Sequence, residues 1–318
     1  MADFNFLLPA QDLPPEGGNA YLGNLTTALA ALGHGIWFGN GPGNAIQVID
    51  GLALSNIPPD RLPGAVGIIH HPTALAAAAD HDAIRATERE RLPRLRRVIT
   101  TSTPVATRLT EEFGVDATRL TTIRPGVPDA VRSRGSIPPA CSILSIGSLV
   151  PRKGHAVLLQ ALARLFDLPW TLVIAGDPAR DPDYAASLHA QLAASSLTDR
   201  VRFAGTLDAH ALEAEWQRAD IFALATEWEG YSAPIAEALR RGLPIAVTAG
   251  GNAAELVSPE VGVVCTPGDV TGLSKSIRRV IFDTALRADM ANAAWDLGQT
   301  LPGWQSQAAL FVEATQCF

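Results

Sequence analysis

Two carboxylates stand eight residues apart in a chain in which charged residues are only 18% of the total. They open and close the segment Glu229-Gly230-Tyr231-Ser232-Ala233-Pro234-Ile235-Ala236-Glu237, whose other members are small, aromatic or apolar. Ionised carboxylate oxygens accept several hydrogen bonds and suit vicinal hydroxyls, such as those of ribose or hexose rings. A second segment, Gly147-Ser148-Leu149-Val150-Pro151-Arg152-Lys153-Gly154, brings the opposite charge. Adjacent cations beside a helix N-terminus, with backbone N–H groups as further donors, are equipment for a phosphate. The segment lacks the Gly-Lys-Ser/Thr order of a Walker loop and the GxGxxG dinucleotide fingerprint. A solvated Arg-Lys pair in a turn is the competing reading.

Pro234 suits the first turn of a helix, where its missing N–H would have no partner anyway. Ser232 and Ala233 then sit just before that helix with free N–H groups for a phosphate or sugar oxygen. Glu229 becomes a loop residue pointing into a cleft. Glu237 falls in the first helical turn, where a carboxylate also gains from the helix dipole, so a plain dipole partner is the alternative for it. His70-His71 has no metal-ligand spacing; it is either a strand-end histidine bonded to backbone or a donor to a sugar hydroxyl or phosphate. Asp181-Pro182-Asp183 matches a DxD metal motif in form but reads as a surface turn. Arg85, Arg89, Arg91, Arg94, Arg96 and Arg97 form a basic run interrupted by Glu88 and Glu90. That run is a solvated helix face, or, on the sharper reading, a patch for anionic lipid headgroups.

Alternating strands and helices must position these groups. In the second half the strand candidates are Ser142–Ile146, Thr171–Ala175, Val201–Phe203, Ile221–Leu224, Ile245–Val247 and Gly262–Val264. The helices between them are His155–Phe166, Asp183–Ala194, Ala209–Arg218, Pro234–Arg241 and Asn252–Val257. Near-continuous apolar strands separated by helices imply a parallel sheet covered on both faces. The first half offers Phe4–Leu8, Gly35–Phe38, Ile46–Ile49, Ala65–Ile69, Val98–Thr101 and Thr121–Arg124. Its helix near Pro104 has Thr103 as N-cap, an apolar face of Val105, Leu109 and Phe113, and Gly114 as its end. The Pro-, Gly- and Ser-rich stretch 125–139 is the expected linker. The expected domains are 1–135, 140–300 and a C-terminal helical segment, 301–318, packing back on the first, with Trp304, Leu310 and Phe311 buried. Ligands in such sheets sit outside the carboxyl ends of strands. Gly17-Gly18-Asn19, His70-His71, Gly147–Gly154 and Glu229 all fall there.

Length and composition narrow the class. The 318 residues suit about two domains. A net charge of −7 argues against a general nucleic-acid binder. Cys141, Cys265 and Cys317 are an odd, widely spaced set with no metal or redox spacing, as suits a reducing compartment. The opening residues carry no signal-peptide pattern and no apolar run reaches membrane-span length. The expectation is a cytoplasmic protein, with peripheral contact at the inner face of a membrane left open.

Assembled, these residues resemble the retaining GT-B glycosyltransferases of family 4. The resemblance rests chiefly on Gly147–Gly154 and on Glu229–Glu237, which matches the family's E-x7-E motif. It is supported by Gly17-Gly18, Val98-Ile99-Thr100-Thr101-Ser102, Ile123-Arg124-Pro125-Gly126-Val127, Phe203-Ala204-Gly205 and Gly242-Leu243-Pro244. It implies two Rossmann-like α/β domains whose parallel sheets face across a cleft. It also implies metal-independent transfer of a hexosyl group from a nucleotide-diphosphate sugar to an acceptor hydroxyl, with no bound cofactor. On this resemblance Glu229 contacts donor-sugar hydroxyls and Glu237 the ribose. The Tyr231, Ser232 and Ala233 amides hold sugar and diphosphate, and Lys153 and Arg152 neutralise the leaving diphosphate. Gly17 and Gly18 approach the diphosphate, His70 (or His71) faces the sugar, and the backbone around Gly205 lies near the base. Many members carry Arg directly after the first Gly of the phosphate loop; here it is Ser148, and Arg152 is the substitute cation. A nucleotide-sugar-binding protein without catalysis and a GT-B epimerase or phosphorylase share this pattern.

Overall fold

The computed structural model describes residues 2–9, 17–75 and 81–316; Cys317 lies outside them. The chain forms two compact units, Met1–Gly126 together with Pro302–Phe318, and Val127–Leu301.

The first unit is a six-stranded sheet of β1 (Asp3–Leu7), β2 (Gly35–Phe38), β3 (Ile46–Asp50), β4 (Val66–Ile69), β5 (Arg97–Thr100) and β6 (Leu120–Thr122). Its order is β2-β1-β3-β4-β5-β6, with every pairing parallel. The helices are α1 (Gly17–Ala31), α2 (His81–Arg91) and α3 (Thr103–Glu111), joined at the end of the chain by α11 (Trp304–Gln316). Phe4 and Phe6 from β1, Leu22, Leu25 and Leu29 from α1, and Ala308 and Phe311 from α11 share one core. The Phe311 ring lies 5.6 Å from that of Phe4.

The second unit is β7 (Cys141–Ile146), β8 (Trp170–Ala175), β9 (Val201–Gly205), β10 (Ile221–Leu224), β11 (Ile245–Thr248) and β12 (Gly262–Cys265). The order is β12-β11-β10-β7-β8-β9, again all parallel. Helices α4 (His155–Ala163), α5 (Pro182–Ala194), α6 (Ala209–Arg218), α7 (Ala233–Arg240), α8 (Ala253–Leu256), α9 (Val270–Phe282) and α10 (Thr284–Thr300) complete it. All four residues of β10 and all four of β11 are buried, as strands covered on both faces require. The chain enters this unit along residues 127–136, which it pins by backbone bonds from Ser133 to Arg241 (2.9 Å) and from Arg134 to Gln217 (3.2 Å).

Several local expectations change. The N-cap of α3 is Ser102 rather than Thr103, because the Ser102 hydroxyl is the one that accepts from Val105 N–H. The expected face holds, with Val105, Leu109 and Phe113 buried and Gly114 closing the helix at φ 70°. Helix α4 stops at Ala163, short of the expected Phe166, whose ring is exposed. Leu310, expected inside, is 48% exposed while its neighbour Phe311 is fully buried. Successive helical residues point about 100° apart, and in α11 it is Phe311, three residues on from the buried Ala308, that falls on the core side. No described helix is long and apolar enough to cross a membrane.

Candidate active site

In the second unit the strand order reverses between β7 and β10. The chain winds one way through β8 and β9, then returns to β10 on the other side of β7. A reversal of this kind leaves a crevice at the carboxyl ends of the two central strands, where α/β sheets take their ligands. The segment 147–154 leaves β7 there, and the segment 225–232 leaves β10 beside it.

Gly154 locks the two segments together. It takes the left-handed conformation, φ 67°, and a Cβ on it would lie 1.8 Å from the Ala225 carbonyl oxygen. Only glycine permits both the dihedral and the approach. The Arg152 carbonyl accepts from Glu227 N–H at 2.8 Å, with the Thr226 hydroxyl oxygen 3.0 Å from it.

This scaffold brings Lys153, Arg152 and Glu229 into one cluster. Lys153 Nζ donates to Glu229 Oε1 at 2.6 Å, the Thr226 hydroxyl donates to the same oxygen at 3.0 Å, and Arg152 Nη1 stands 3.7 Å from Oε2. The Glu229 and Lys153 side chains are only 5% and 11% exposed, so the Arg-Lys pair is not a solvated turn. Burial alone would push the Glu229 carboxyl upward. Lys153 and Arg152, with the hydrogen bonds from Lys153 and Thr226, outweigh it and hold the group below its usual range. The Glu229 side chain is thus packed against cations rather than projecting freely from a loop. Its backbone joins a third segment, accepting from Asn252 N–H at 3.0 Å and donating to the Gly250 carbonyl at 3.2 Å.

Helix α7 begins at Ala233 with Ser232 as N-cap and Pro234 in its first turn. Among the described residues the Ser232 and Ala233 N–H groups donate to no acceptor, and the buried Ser232 hydroxyl has no partner. The helix start is therefore a row of unspent polar groups, as an anion site needs. Tyr231 is half-buried beside it. Glu237 is the fifth residue of α7, in its second turn, which corrects the first-turn expectation and removes the dipole argument. Burial raises its carboxyl, partly countered by Arg241, whose Nη1 lies 3.6 Å away. Arg241 also pairs with Glu213 at 2.7 Å and lies over the Trp216 ring.

The remaining expected residues fall as follows. Ser148 is half-buried in the loop after β7. Gly205 ends β9 at φ 66°, with open space where a Cβ would stand. Gly17 and Gly18 open α1 in the first unit. His70 follows β4 there; its Nε2 is 4.0 Å from Asp50 Oδ2 and its ring meets the Tyr21 ring edge-on at 4.7 Å. His71 Nδ1 lies 3.1 Å from the Pro72 carbonyl. Asp181 is the N-cap of α5, accepting from Tyr184 N–H at 2.9 Å, so the DxD match is a helix start. Among the described residues no group of three or more His, Cys, Asp or Glu is placed to hold a metal.

The arginine run is structural. Arg85 pairs with Glu112 at 2.8 Å, Arg89 donates to the Glu112 carbonyl, and Arg96 to the Thr315 carbonyl. Arg91 Nη1 reaches the carbonyls of Leu54, Ser55 and Ile57. Glu88 faces inward and accepts from Thr73 N–H at 2.6 Å, holding the turn that follows His70-His71.

One residue carried no signal in the sequence. His155, the first residue of α4, is fully buried beneath the loop, with Nε2 at 3.2 Å from the Gly147 carbonyl oxygen and 3.3 Å from that of Ser148. No motif marks it, because its partners lie seven and eight residues earlier and meet it only through the turn at Gly154.

Two parallel six-stranded α/β units, with cations and unspent amides at the switch point of the second, define a GT-B-type protein. Residues 137–296 match the family model described as glycosyl transferases group 1, and the chain belongs to that family. A glycogen synthase of Mycobacterium tuberculosis (strain H37Rv) is 32% identical over 222 residues, 66% of this chain and 51% of the relative. A GDP-mannose-dependent monoacylated alpha-(1-6)-phosphatidylinositol monomannoside mannosyltransferase of Corynebacterium glutamicum is 28% identical over 192 residues, 57% of this chain and 48% of the relative. The chain spans about half the length of these curated relatives. Sucrose-phosphate synthase of Thermosynechococcus elongatus superposes with a TM-score of 0.82 at 17% identity, covering 98% of each chain. HepE of Anabaena, solved with UDP and glucose, gives 0.80 at 20% identity, also covering 98% of each. At such identities the likeness to the solved structures is one of fold.

Proposed function

We propose that this chain transfers a hexosyl group from a nucleotide-diphosphate sugar to an acceptor hydroxyl, with retention at the anomeric carbon and without a metal. The observation that carries the reading is the Lys153–Glu229–Arg152 cluster at the β7/β10 switch point. Relatives whose printed names are glycosyltransferases, and a structural neighbour solved with UDP-glucose, support the same donor class.

The bond between the anomeric carbon and the diphosphate oxygen breaks with its electron pair going to the diphosphate. Stabilising that developing charge is the main catalytic task. Lys153 and Arg152 supply cations, and the Ser232 and Ala233 N–H groups supply donors that cost no reorganisation. This supports a reaction that needs no metal. Glu229 holds the Lys153 ammonium in place, and its Oε2, farther from that ammonium, accepts from a sugar hydroxyl. Glu237 accepts from the ribose, Tyr231 lines the same turn, and the open side of Gly205 leaves room for the base. The acceptor hydroxyl attacks from the leaving group's own face and gives its proton to the departing phosphate, so retention needs no covalent nucleophile. The roles of His70, Gly17 and Gly18 toward the donor rest on the family resemblance alone.

The test is a thermal-shift panel of UDP, GDP, ADP and TDP with their common sugar conjugates, followed by turnover of whichever binds. Binding to the folded state raises the melting temperature by mass action, so one base should stand out. Lys153→Ala should abolish donor turnover, EDTA should not, and NMR of the product should show the donor's anomeric configuration. Absence of any nucleotide shift, or full turnover by Lys153→Ala, would sink the proposal.

A further inference from the structure

We propose that His155 is a positioning residue for the loop after β7: it holds the Gly147–Ser148 peptide so that the Ser148 N–H faces outward as an anion donor. The inference deepens the reading above, since it takes that loop to be where the diphosphate sits. Both partners of His155 Nε2 are carbonyl oxygens, at 3.2 and 3.3 Å, and carbonyl oxygens only accept. Nε2 therefore carries the proton, and Nδ1 is the bare nitrogen. Among the described residues Nδ1 has no partner although it is buried. An unpaired buried acceptor costs stability, so an apolar side chain would serve packing better. The imidazole is explained by what Nε2 holds.

What it holds is a peptide plane. In a trans peptide the C=O and the following N–H point in opposite directions. With the Gly147 carbonyl drawn toward the imidazole, the Ser148 N–H is turned away from it. The neighbouring amides are engaged, Gly147 N–H with the Ala175 carbonyl and Leu149 N–H with the Asp177 carbonyl, each at 3.0 Å. Ser148 N–H, between them, donates to no acceptor among the described residues. Gly176 clamps the same peptide from another side: a Cβ there would lie 1.9 Å from the Gly147 carbonyl oxygen. Burial pushes the His155 imidazole down to about 4, with Lys153 adding to the effect, so it orders the loop as a neutral ring. A fixed backbone donor thus stands at Ser148, where a side-chain cation is absent.

The experiment compares His155→Gln, which keeps an N–H donor at a similar reach, with His155→Met, which fills a similar volume without one. His155→Leu serves as the second apolar variant should His155→Met fail to fold. In the ligand-free full chain, amide hydrogen exchange over residues 147–154 should accelerate about 10-fold in the apolar variant and stay near wild type in His155→Gln, with β7 unchanged in both. Calorimetry with pyrophosphate and with UDP, GDP, ADP and TDP should show about 5-fold weaker binding for the apolar variant and little change for His155→Gln. Equal loop exchange in the Gln and apolar variants would overturn the proposal, making His155 a packing residue only. If the wild type binds none of these ligands, the donor reading fails, while the exchange comparison still decides whether His155 holds the loop.

Discussion

His155 should make this protein acid-labile in a defined window. Its imidazole, usually near 6.5, is held at about 4 in the folded chain, first by burial and then by the Lys153 charge. Between those values the unfolded chain binds a proton that the folded chain refuses, so stability rises with pH across the window and falls as pH drops through it. Each pH unit in that interval is worth about 1.4 kcal/mol. Lowering the pH from about 7.5 to about 5 should therefore cost about 2 kcal/mol through this one residue, a large share of a typical total of about 5–15 kcal/mol. Glu229, held below its usual 4.5, adds its own loss only at lower pH, and the raised Glu237 works in the opposite direction. Urea unfolding of the wild type and His155→Gln at both pH values isolates the effect, because every other titrating group is common to the two. The wild type should lose about 2 kcal/mol more than the variant between the two conditions. Equal losses would refute the reasoning, since His155 would then titrate normally in the folded state.

Three further outcomes follow from the geometry. Glu229→Gln and Lys153→Met should each destabilise the second unit by about 3 kcal/mol by stranding a buried partner, and the double variant should cost less than their sum by about 2 kcal/mol; additivity within about 0.5 kcal/mol in denaturant unfolding would show the pair to be uncoupled. Gly154→Ala should cost about 3 kcal/mol or more through the Ala225 clash and the left-handed dihedral, and an unchanged melting temperature would show that the two loops do not meet there. Phe311→Ala should cost about 3–5 kcal/mol while Leu310→Ser stays within about 0.5 kcal/mol, and comparable losses would mean that α11 presents a different face.

The alternation of strands and helices was legible because β10 and β11 are buried on both faces, so their sequences are continuous apolar runs. The switch-point residues were legible because Pro234, Gly154 and the adjacent cations each have a local reason to stand where they do. What could not be read depended on long-range contact or on angular position. Beginning α7 at Ala233 moves Glu237 into the second turn, and no local signal separates that start from one at Pro234. Leu310 and Phe311 are equally apolar, and only the docking of α11 on α1 and β1 decides between them. The partnership of Lys153 with Glu229 joins residues 76 apart in sequence. Sequence patterning predicted each group as a ligand contact but not that they would first engage one another. The arginine run shows the same limit, since Arg85 and Arg89 find their acceptors on Glu112, Arg91 on the carbonyls of Leu54 and Ile57 and Arg96 on α11, all distant in sequence.

The first unit is discontinuous: its core is completed by α11, supplied after the 127–301 stretch has been made. During synthesis from the N-terminus, β1 and α1 emerge early with their apolar faces lacking Ala308 and Phe311, whereas the second unit's segments are contiguous. The inserted unit is thus free to finish folding first, and the half-built sheet of Phe4 and Phe6 must wait for α11. Truncation before Trp304 would leave that earlier-made face open, so the first unit stays exposed to misfolding until α11 has been made and docked.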